Sequence, residues 1–381
     1  MSFDHEVSFA CKILPLLKDS FRESIIFSPT SILSGLSLIY IGATDETEKE
    51  IGDFVGKEKS NTKENVIERW SKILKSEPND ESKVKISFGN GIFISSNVSL
   101  LAEFEEMLKN KLNGKIENVD FNNVDSVVNA INNFISKSTN NQITDTTTNE
   151  EVISSNNCIC VNTLHFIAPW DNKFDKLEMK MFFGTPSREV QMMRKTVIPR
   201  IGWNLSEGKN WVCLGIPYDA FKAWFYIVLP NQHYSLIKLI ENINVHSFEE
   251  FTKKGDFKGS KMFVTIPTIQ QSSNHNLNEI LENIGLKTLF NESCKVGQMS
   301  ENLQKIDKIL HTSFINIDEN GSEASNTVSK EFEIPRTGGG YKFCADRPFL
   351  YFVVTCNDNK KVENNKILVT PNNLLYVGTY C

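Results

Sequence analysis

One segment near the C-terminus, residues 318–340, constrains the fold more than any other part of the chain. Its first part is rich in small residues and its second part in β-branched and aromatic residues, which favours a flexible start followed by a strand. Arg336 comes next, beside Thr337 and a run of three glycines at 338–340. A trypsin-like protease cleaves after a basic residue in a long exposed loop. The segment is therefore interpreted as an exposed bait loop whose start can become a β-strand.

Alternation within the segment supports the strand. At a period of two, one face is small and then mostly apolar, while the other face is wholly polar. The polar face holds Glu323, Ser325, Thr327, Ser329, Glu331 and Glu333. The first face holds Ser322, Ala324, Asn326, Val328, Lys330, Phe332 and Ile334. Because Asn326 and Lys330 do not suit an inward face, an ordinary edge hairpin that ends at Gly338 remains an alternative on these residues alone.

Nearly the whole remaining chain, from about residue 9 to residue 380, carries segments in an order that resembles the serpin family. They are similar to the family's first long buried helix, its central strand, the strand and helix before the bait loop, and the signature after it. These segments are 26–32, 42–44, 47–51, 161–166 with Trp170 and Phe174, 190–193, 264–267, Leu277, Leu281, Gly285, Phe290 and 344–352. His311 resembles a family histidine and is expected to be a structural hydrogen-bonding residue. Order and spacing together, rather than any one motif, indicate the family.

The resemblance implies an α+β architecture, the serpin fold, with three β-sheets surrounded by about eight to nine α-helices and an exposed reactive-centre loop. The chain, 1–381, is expected to form a single domain, because no Pro/Gly/Ser-rich linker divides it and 40% apolar residues suffice for a sizeable core. The reactive-centre loop, called the bait loop below, covers about residues 319–341. Its hinge comprises Glu319, Gly321, Ser322, Glu323, Ala324, Ser325, Asn326 and Thr327.

The resemblance also implies a serine protease inhibitor that acts as a suicide substrate. A trypsin-like protease would cleave the Arg336–Thr337 bond, flanked by Ile334 and Pro335, and the severed loop would enter the central sheet while the acyl-enzyme persists. In the family the scissile residue commonly lies fourteen positions after the hinge glycine, which here is Pro335. Since Pro335 is a poor primary residue for most serine proteases, we expect cleavage after Arg336 and a loop one residue longer. The alternative is a non-inhibitory serpin, such as a carrier, a chaperone or a decoy substrate.

The sequence offers no catalytic constellation, cofactor motif or metal site. It contains no G-x-S-x-G elbow, no P-loop, and no histidine pair spaced to bind a metal with a carboxylate between them. Cys158 and Cys160 lie near His165, but a metal site would need a fourth ligand, so a buried structural pair is expected. The eight cysteines include no CxxC pair, and most of them are expected to be reduced core or surface thiols. We therefore predict that the protein is not an enzyme and binds no cofactor.

Charge and hydropathy set the expected partners and compartment. The net charge is −6 with no basic block, so nucleic-acid binding is not expected. Basic residues near 59–75 are interleaved with glutamates, so glycosaminoglycan binding is not expected either. Neither a signal peptide nor a membrane span is apparent, which predicts a cytoplasmic monomer, with leaderless release from the cell as the alternative. A glycosylation sequon at 320–322 favours the same compartment, because a glycan there would hinder insertion of the hinge.

Hydrophobic periodicity predicts a mixture of helices and strands. Helices are expected over about 3–18, 29–40, 61–75, 100–112, 124–139 and 276–284. Strands are expected over 85–95, 158–166, 212–217, 223–229, 262–267 and 349–355. Turns are expected at Asn231 and at 371–373, and the tract 357–373 is longer and more polar than the resemblance implies between the last two strands.

Overall fold

The structure is a computed structural model, and it describes residues 2–17, 23–56, 62–75, 83–197, 202–232, 235–253, 261–322, 340–356, 361–363, 366–368 and 370–381. The bait-loop residues 323–339 lie outside this part. Ten α-helices and a 3-10 helix at Asp219–Phe221 occur within the described ranges. The α-helices are α1 (Ser2–Ile13), α2 (Pro29–Gly42), α3 (Asp45–Val55), α4 (Lys63–Leu74), α5 (Ala102–Leu112), α6 (Val124–Ser138), α7 (Asn149–Val152), α8 (Leu236–Glu241), α9 (Val245–Thr252) and α10 (Asn278–Ile284).

Some strands lie between these helices and others follow one another without an intervening α-helix, and most group into three large sheets. They are β1 (Ile26–Phe27), β2 (Lys85–Ser95), β3 (Lys115–Val119), β4 (Cys158–Pro169), β5 (Lys176–Phe182), β6 (Arg188–Val197), β7 (Asn204–Glu207), β8 (Trp211–Pro217), β9 (Ala223–Pro230), β10 (Met262–Pro267), β11 (Ile269–Asn276), β12 (Lys308–Ile317), β13 (Gly321–Ser322), β14 (Tyr341–Cys344), β15 (Phe349–Cys356), β16 (Lys361–Glu363), β17 (Lys366–Leu368) and β18 (Pro371–Tyr380).

The three sheets differ in order and in pairing. Sheet A has the order β11-β12-β13-β4-β2-β3, sheet B the order β1-β18-β15-β9-β8-β7, and sheet C the order β14-β10-β6-β5. The short strands β16 and β17 pair only with each other among the described residues. The predicted α+β architecture with three sheets is therefore confirmed. The four-residue helix α7 is too short to be predicted from periodicity.

Helix α2 forms the centre of the main core, as the apolar run in the sequence predicts. The Ser28 side chain caps its first turn by accepting a hydrogen bond from the Ser31 N–H at 3.1 Å, and Pro29 suits the first helical position because it lacks an N–H. Nearly every residue of α2 is buried. Leu33, Leu36 and Ile39 pack in the same core cluster as Cys158 and Cys160 of β4.

The opposite face of sheet A is covered by α6. Its apolar side chains recur at helical spacing, and they pack with the side chains of β4 and β12 that point away from α2. The α6 residues concerned are Val127, Ile131 and Phe134, and their sheet partners are Ile159, Val161, Leu310 and Phe314. Sheet A is thus buried on both faces around β4 and β12, so any strand added between them would also be buried.

One prediction about the C-terminal region was wrong. Residues 371–373 are not a turn, because β18 begins at Pro371, which pairs with Cys356 of β15. A proline is tolerated at the first residue of a strand, where no N–H is needed.

In the described ranges, no helix combines the length and the apolar character that a bilayer span requires.

Candidate functional site

The described start of the hinge lies within sheet A. Strand β12 ends at Ile317, the chain turns through 318–320, and Gly321 and Ser322 return as β13 between β12 and β4. The Asp318 carboxylate accepts hydrogen bonds from the N–H groups of Asn320 and Gly321 at 2.7 and 3.1 Å, which holds the turn. Gly321 has φ 144° and would place a Cβ atom 2.2 Å from the carbonyl oxygen of Ala168, so only glycine fits there.

Strand β13 separates β12 from β4 at one end of sheet A, while at the other end these two strands pair directly. Ser322 pairs antiparallel with both Ile317 and Ala168, and its buried hydroxyl donates to the carbonyl of Phe166 at 3.2 Å. Further along, β12 and β4 pair directly with each other, in parallel, from Lys308 to Ser313 on β12. Direct pairing of the two strands ends at Ser313 and Leu164, and β13 lies between them further on, where Ser322 pairs with Ile317 and Ala168. A strand continuing from Ser322 would replace this parallel pairing with two antiparallel pairings, which are slightly more stable per residue.

An aromatic pair supports the turn before β13. The Trp170 indole donates to the Asp318 carbonyl at 2.8 Å, and the Trp170 N–H donates to the Asn320 carbonyl at 2.9 Å. The indole stacks on the ring of Tyr218 with 4.4 Å between ring centroids and 8° between planes. The Phe174 N–H donates to the Glu319 carbonyl at 2.9 Å. These contacts anchor Asp318 and the first two residues of the bait loop.

His311 joins β12 to β4 and to the start of α2 in the middle of sheet A. Its Nε2 accepts a hydrogen bond from the Ser28 N–H at 2.9 Å and lies 2.7 Å from the Ser313 hydroxyl. Its Nδ1–H donates to the Asn162 side-chain oxygen. This pattern requires the neutral ring, because a proton on Nε2 would remove the acceptor that Ser28 uses. Burial lowers the pKa of His311 well below its ordinary value, and the nearby His275 lowers it further.

The neutral state of His311 predicts acid sensitivity. Below about pH 6.5 the unfolded histidine binds a proton while the folded one does not. The free energy of unfolding therefore decreases as the pH is lowered through this range, by up to about 1.4 kcal/mol per pH unit. We expect the melting temperature to drop between pH 7.5 and pH 5.5, and His311→Gln to reduce that drop. The drop persists in part because burial also lowers the pKa of His275. At pH 7.5 the histidine is neutral in both states, so a difference in melting temperature between the variant and the unsubstituted protein reports lost hydrogen bonds alone. The further difference at pH 5.5 reports the lost protonation effect. An unchanged drop in His311→Gln would contradict this assignment.

Some of the site residues predicted from the sequence are placed by the structure and others are not. Glu319, Gly321 and Ser322 lie in the turn and in β13, as described above. The remaining hinge residues, Glu323, Ala324, Ser325, Asn326 and Thr327, and the bait residues Ile334, Pro335, Arg336 and Thr337, lie outside the described residues. The predicted sequon residue Asn320 is buried at 4% exposure, and its side-chain oxygen accepts from the Lys173 ammonium at 3.1 Å. A glycan on Asn320 would not fit this conformation.

Sequence reasoning missed several residues that build the site. It did not assign the Asp318 carboxylate to the turn, nor Ser28 and Asn162 to His311. Ser28 lies in the 26–32 segment, where a serine before Pro29 indicates a helix cap but not its second hydrogen bond to a histidine. The Asn162–His311 contact joins residues far apart in sequence, so periodicity carries no signal for it.

The cysteine pair on β4 agrees with the structural assignment made from the sequence. Cys158 and Cys160 are buried in the main core. A hydrogen bond with Cys160, together with burial, raises the pKa of the Cys158 thiol well above its ordinary value. A thiol held neutral in this way is a poor nucleophile and a poor metal ligand. Among the described residues, no group of three or more His, Cys, Asp or Glu side chains is arranged to hold a metal ion.

Comparison with known proteins agrees with this geometry. The family model described as "Serpin (serine protease inhibitor)" matches residues 4–362. Human Serpin B4 is 24% identical over 365 residues, which cover 91% of this chain and 93% of that protein. The crystal structure of human glycosylated kallistatin superposes with a TM-score of 0.84 at 20% identity and covers 99% of this chain and 96% of that one. Human thyroxine-binding globulin, solved in complex with its ligand, superposes with a TM-score of 0.82 at 19% identity, with the same coverage.

Proposed function

Because this chain belongs to the serpin family, we propose that it inhibits a trypsin-like serine protease as a suicide substrate, with Arg336–Thr337 as the cleaved bond. The observation that supports the proposal most is the position of Ser322. It is a small, buried residue already paired with both β12 and β4 at the open end of sheet A. The rest of the hinge follows it directly in sequence.

The proposed reaction starts with attack of the protease serine oxygen on the Arg336 carbonyl. An ester to Arg336 forms, the Arg336–Thr337 peptide bond breaks, and the Thr337 amine leaves with a proton supplied by the protease histidine. Cleavage frees the loop, and residues after Ser322 enter sheet A before water can hydrolyse the ester. Inhibition is thus a competition between insertion and deacylation.

The register of β13 predicts where each inserted residue goes. If the pairing of Ser322 with Ile317 and Ala168 continues, each step along the loop moves one residue back along β12 and β4. Val328 then lies between His311 and Asn162, and it separates the two side chains that now contact each other. Lys330 lies between Ile309 and Cys160, and Phe332 lies between Asp307 and Cys158. These inserted residues point toward the core that contains α2, because Cys158 and Cys160 do so.

Insertion is favourable overall in this register. Each inserted residue forms backbone hydrogen bonds worth about 0.5–1.5 kcal/mol net apiece. Burying Val328 and Phe332 contributes about 1.5–3 kcal/mol each. Lys330 opposes this gain, because its neighbours Ile309 and Cys160 are 1% and 5% exposed. An ammonium placed there costs several kcal/mol unless the side chain extends far enough to reach water.

Lys330→Val is therefore expected to improve the inhibitor. Valine suits the apolar surroundings of Ile309 and Cys160, so insertion should accelerate and fewer acyl-enzymes should hydrolyse. The number of inhibitor molecules consumed per trypsin inactivated should fall severalfold toward equimolar. Titration of trypsin activity measures that number, and Lys330→Arg, which keeps the charge, serves as the matched control. A ratio that is unchanged or higher in Lys330→Val would refute this account of Lys330.

Incubation with trypsin tests the proposed function itself. We expect a product on denaturing electrophoresis that is larger than either protein, because the ester to Arg336 survives the detergent. Mass spectrometry of the released C-terminal fragment should show Thr337 at its start. A fragment that starts at another residue would show that trypsin cleaves a different bond. Complete cleavage without any adduct would contradict the inhibitory function.

A non-inhibitory carrier is the second candidate, and two observations favour it. The inward face of the hinge includes Asn326, which would lie between Ser313 and Leu164 in the inserted strand. In addition, a surface cavity of about 700 Å³ lies between α8, α9 and the turn before β8, and its lining includes Lys209, Trp211 and Lys238. The trypsin experiment discriminates the candidates, since a carrier is cut without forming an adduct.

We also propose that the protein works in a reducing, cytoplasmic compartment. All eight cysteines are unpaired, and most are buried. Asn320 is buried and hydrogen-bonded, so the sequon at 320–322 is inaccessible in the folded hinge. Mass spectrometry of the protein from its native source tests this, and a glycan on Asn320 in active inhibitor would contradict it.

A further inference from the structure

An exposed apolar stripe follows β5, the edge strand of sheet C. Leu177, Met179 and Met181 alternate along one face of this strand and are 42%, 60% and 45% exposed. Phe183, which follows the strand, is 42% exposed. Large apolar side chains that are exposed singly need no explanation, but four in a continuous row on one edge indicate a binding surface.

The edge itself is available for pairing. In the part of the chain that the structure describes, β5 pairs with β6 on one side and with no strand on the other. An unpaired edge presents a row of backbone N–H and C=O groups to any incoming strand. The opposite face of β5 carries Lys176, Glu178 and Lys180. Glu178 contacts Lys180 at 2.7 Å and Arg194 of β6 at 2.9 Å, so these charges are ordered along the strand.

The strand is complementary to itself when it is paired antiparallel about Met179. In that register Met179 faces Met179 of a second copy, and Leu177 faces Met181. On the other face Glu178 faces Lys180 in both directions, so these two cross-strand charge pairs have opposite signs, while Lys176 faces Phe182 at each end of the strand. Apolar pairs and opposite charges directly across an antiparallel ladder are both stabilising. Shifting the register by one residue would place charged residues opposite apolar ones.

We propose that two copies of this chain associate through β5, with a two-fold axis at Met179 that joins two C sheets into one continuous sheet. A second copy is favoured over an unrelated protein because the apolar pairs around Met179 and the Glu178–Lys180 pairs repeat on both sides of the axis, as a two-fold interface requires. The sequence led us to expect a monomer, and the β5 edge is the observation on which we revise that expectation. One strand on each side makes a small interface, so the association is weak and reversible. This inference is independent of the proposed inhibitory function.

Sedimentation equilibrium under a thiol reductant tests the pairing, since the reductant excludes disulfide-linked dimers. The average mass should rise from one copy toward two between about 1 µM and about 1 mM. Met179→Lys and Met179→Glu should each weaken self-association by at least about tenfold, because each places like charges opposite one another on the axis. Both substitutions are at an exposed side chain and should leave folding unchanged.

Mixing the two variants gives the decisive outcome. An equimolar mixture of Met179→Lys and Met179→Glu should associate again, because only the mixed pair brings opposite charges together on the axis. Ile153→Glu, which adds a charge at a site 69% exposed elsewhere on the surface, serves as the control and should associate like the unsubstituted protein. The proposal is overturned if the unsubstituted protein stays a single copy throughout, if both single variants associate normally, or if mixing restores nothing.

Discussion

Replacing Ser322 with arginine is expected to abolish covalent trapping while leaving cleavage of the bait loop intact. Ser322 is fully buried between β12 and β4, and its hydroxyl donates to the Phe166 carbonyl. A guanidinium in this position would be a buried charge without a partner, which costs several kcal/mol. Ser322 already lies between β12 and β4 in the uncut protein. We expect arginine to displace β13 from sheet A, so that insertion has to begin by burying the guanidinium, which slows its earliest step. Hydrolysis of the acyl-enzyme should then be faster than insertion, and trypsin should cleave the protein as an ordinary substrate.

Denaturing electrophoresis after incubation with trypsin measures this outcome. The unsubstituted protein should give an adduct band, and Ser322→Arg should give only cleaved protein and free trypsin. Ser322→Ala is the matched control, because alanine keeps the small volume and loses only one hydrogen bond. The melting temperature of uncut Ser322→Arg identifies any general folding defect. A normal yield of adduct from Ser322→Arg would contradict entry of the hinge at β13.

Arg336→Ala is expected to have the second large effect, on the rate of trypsin inhibition. The basic side chain binds a carboxylate in the specificity pocket of a trypsin-like protease. Truncating one partner of a buried charge pair costs about 2–5 kcal/mol, which lowers the association rate constant by between about 30-fold and about 4,000-fold. Unlike Ser322→Arg, this variant should lose cleavage as well as adduct.

Progress curves of trypsin activity in the presence of each variant give this rate constant. Arg336→Lys is the control and should retain most of the rate, because trypsin-like pockets accept either basic residue. The thermal stability of uncut Arg336→Ala should equal that of the unsubstituted protein, since the substitution acts on the protease contact. An unchanged rate in Arg336→Ala would show that the scissile bond lies elsewhere.

Much of the fold could be predicted from the sequence, because long apolar patterns fix which faces are buried. The run that became α2 was predicted as a buried helix, and α4, α5 and α6 match their predicted ranges within a few residues. Helix α1 ends at Ile13, earlier than predicted, with Pro15 shortly after it. Helix α3 was missed as a separate element. Its first turn is polar, with Asp45, Glu46 and Glu48, and its buried apolar residues Ile51, Phe54 and Val55 lie at helical spacing only toward its end.

The candidate site was harder to predict, because its function depends on contacts between distant segments. The small residues at the start of the hinge, Gly321 among them, were apparent in the sequence, whereas the need for glycine at 321 comes from its positive φ and from the close approach of the Ala168 carbonyl. The hydrogen bonds of Trp170 to the turn at 318–320 and of Ser28 to His311 could not, since they join residues far apart in the chain. The register of insertion also required the pairing of Ser322 with Ile317 and Ala168. The sequence alone indicated which face of the loop turns inward but not which core residues it meets.

The stability of the cleaved protein tests the central claim most directly. Nicking the bait loop with a protease that the protein does not trap, followed by removal of that protease, should let the residues after Ser322 enter sheet A as an added strand. We predict that the cleaved protein melts at least about 10 °C higher than the intact protein, because insertion adds several kcal/mol of hydrogen bonding and burial. A cleaved protein whose melting temperature equals or falls below that of the intact form would contradict the account.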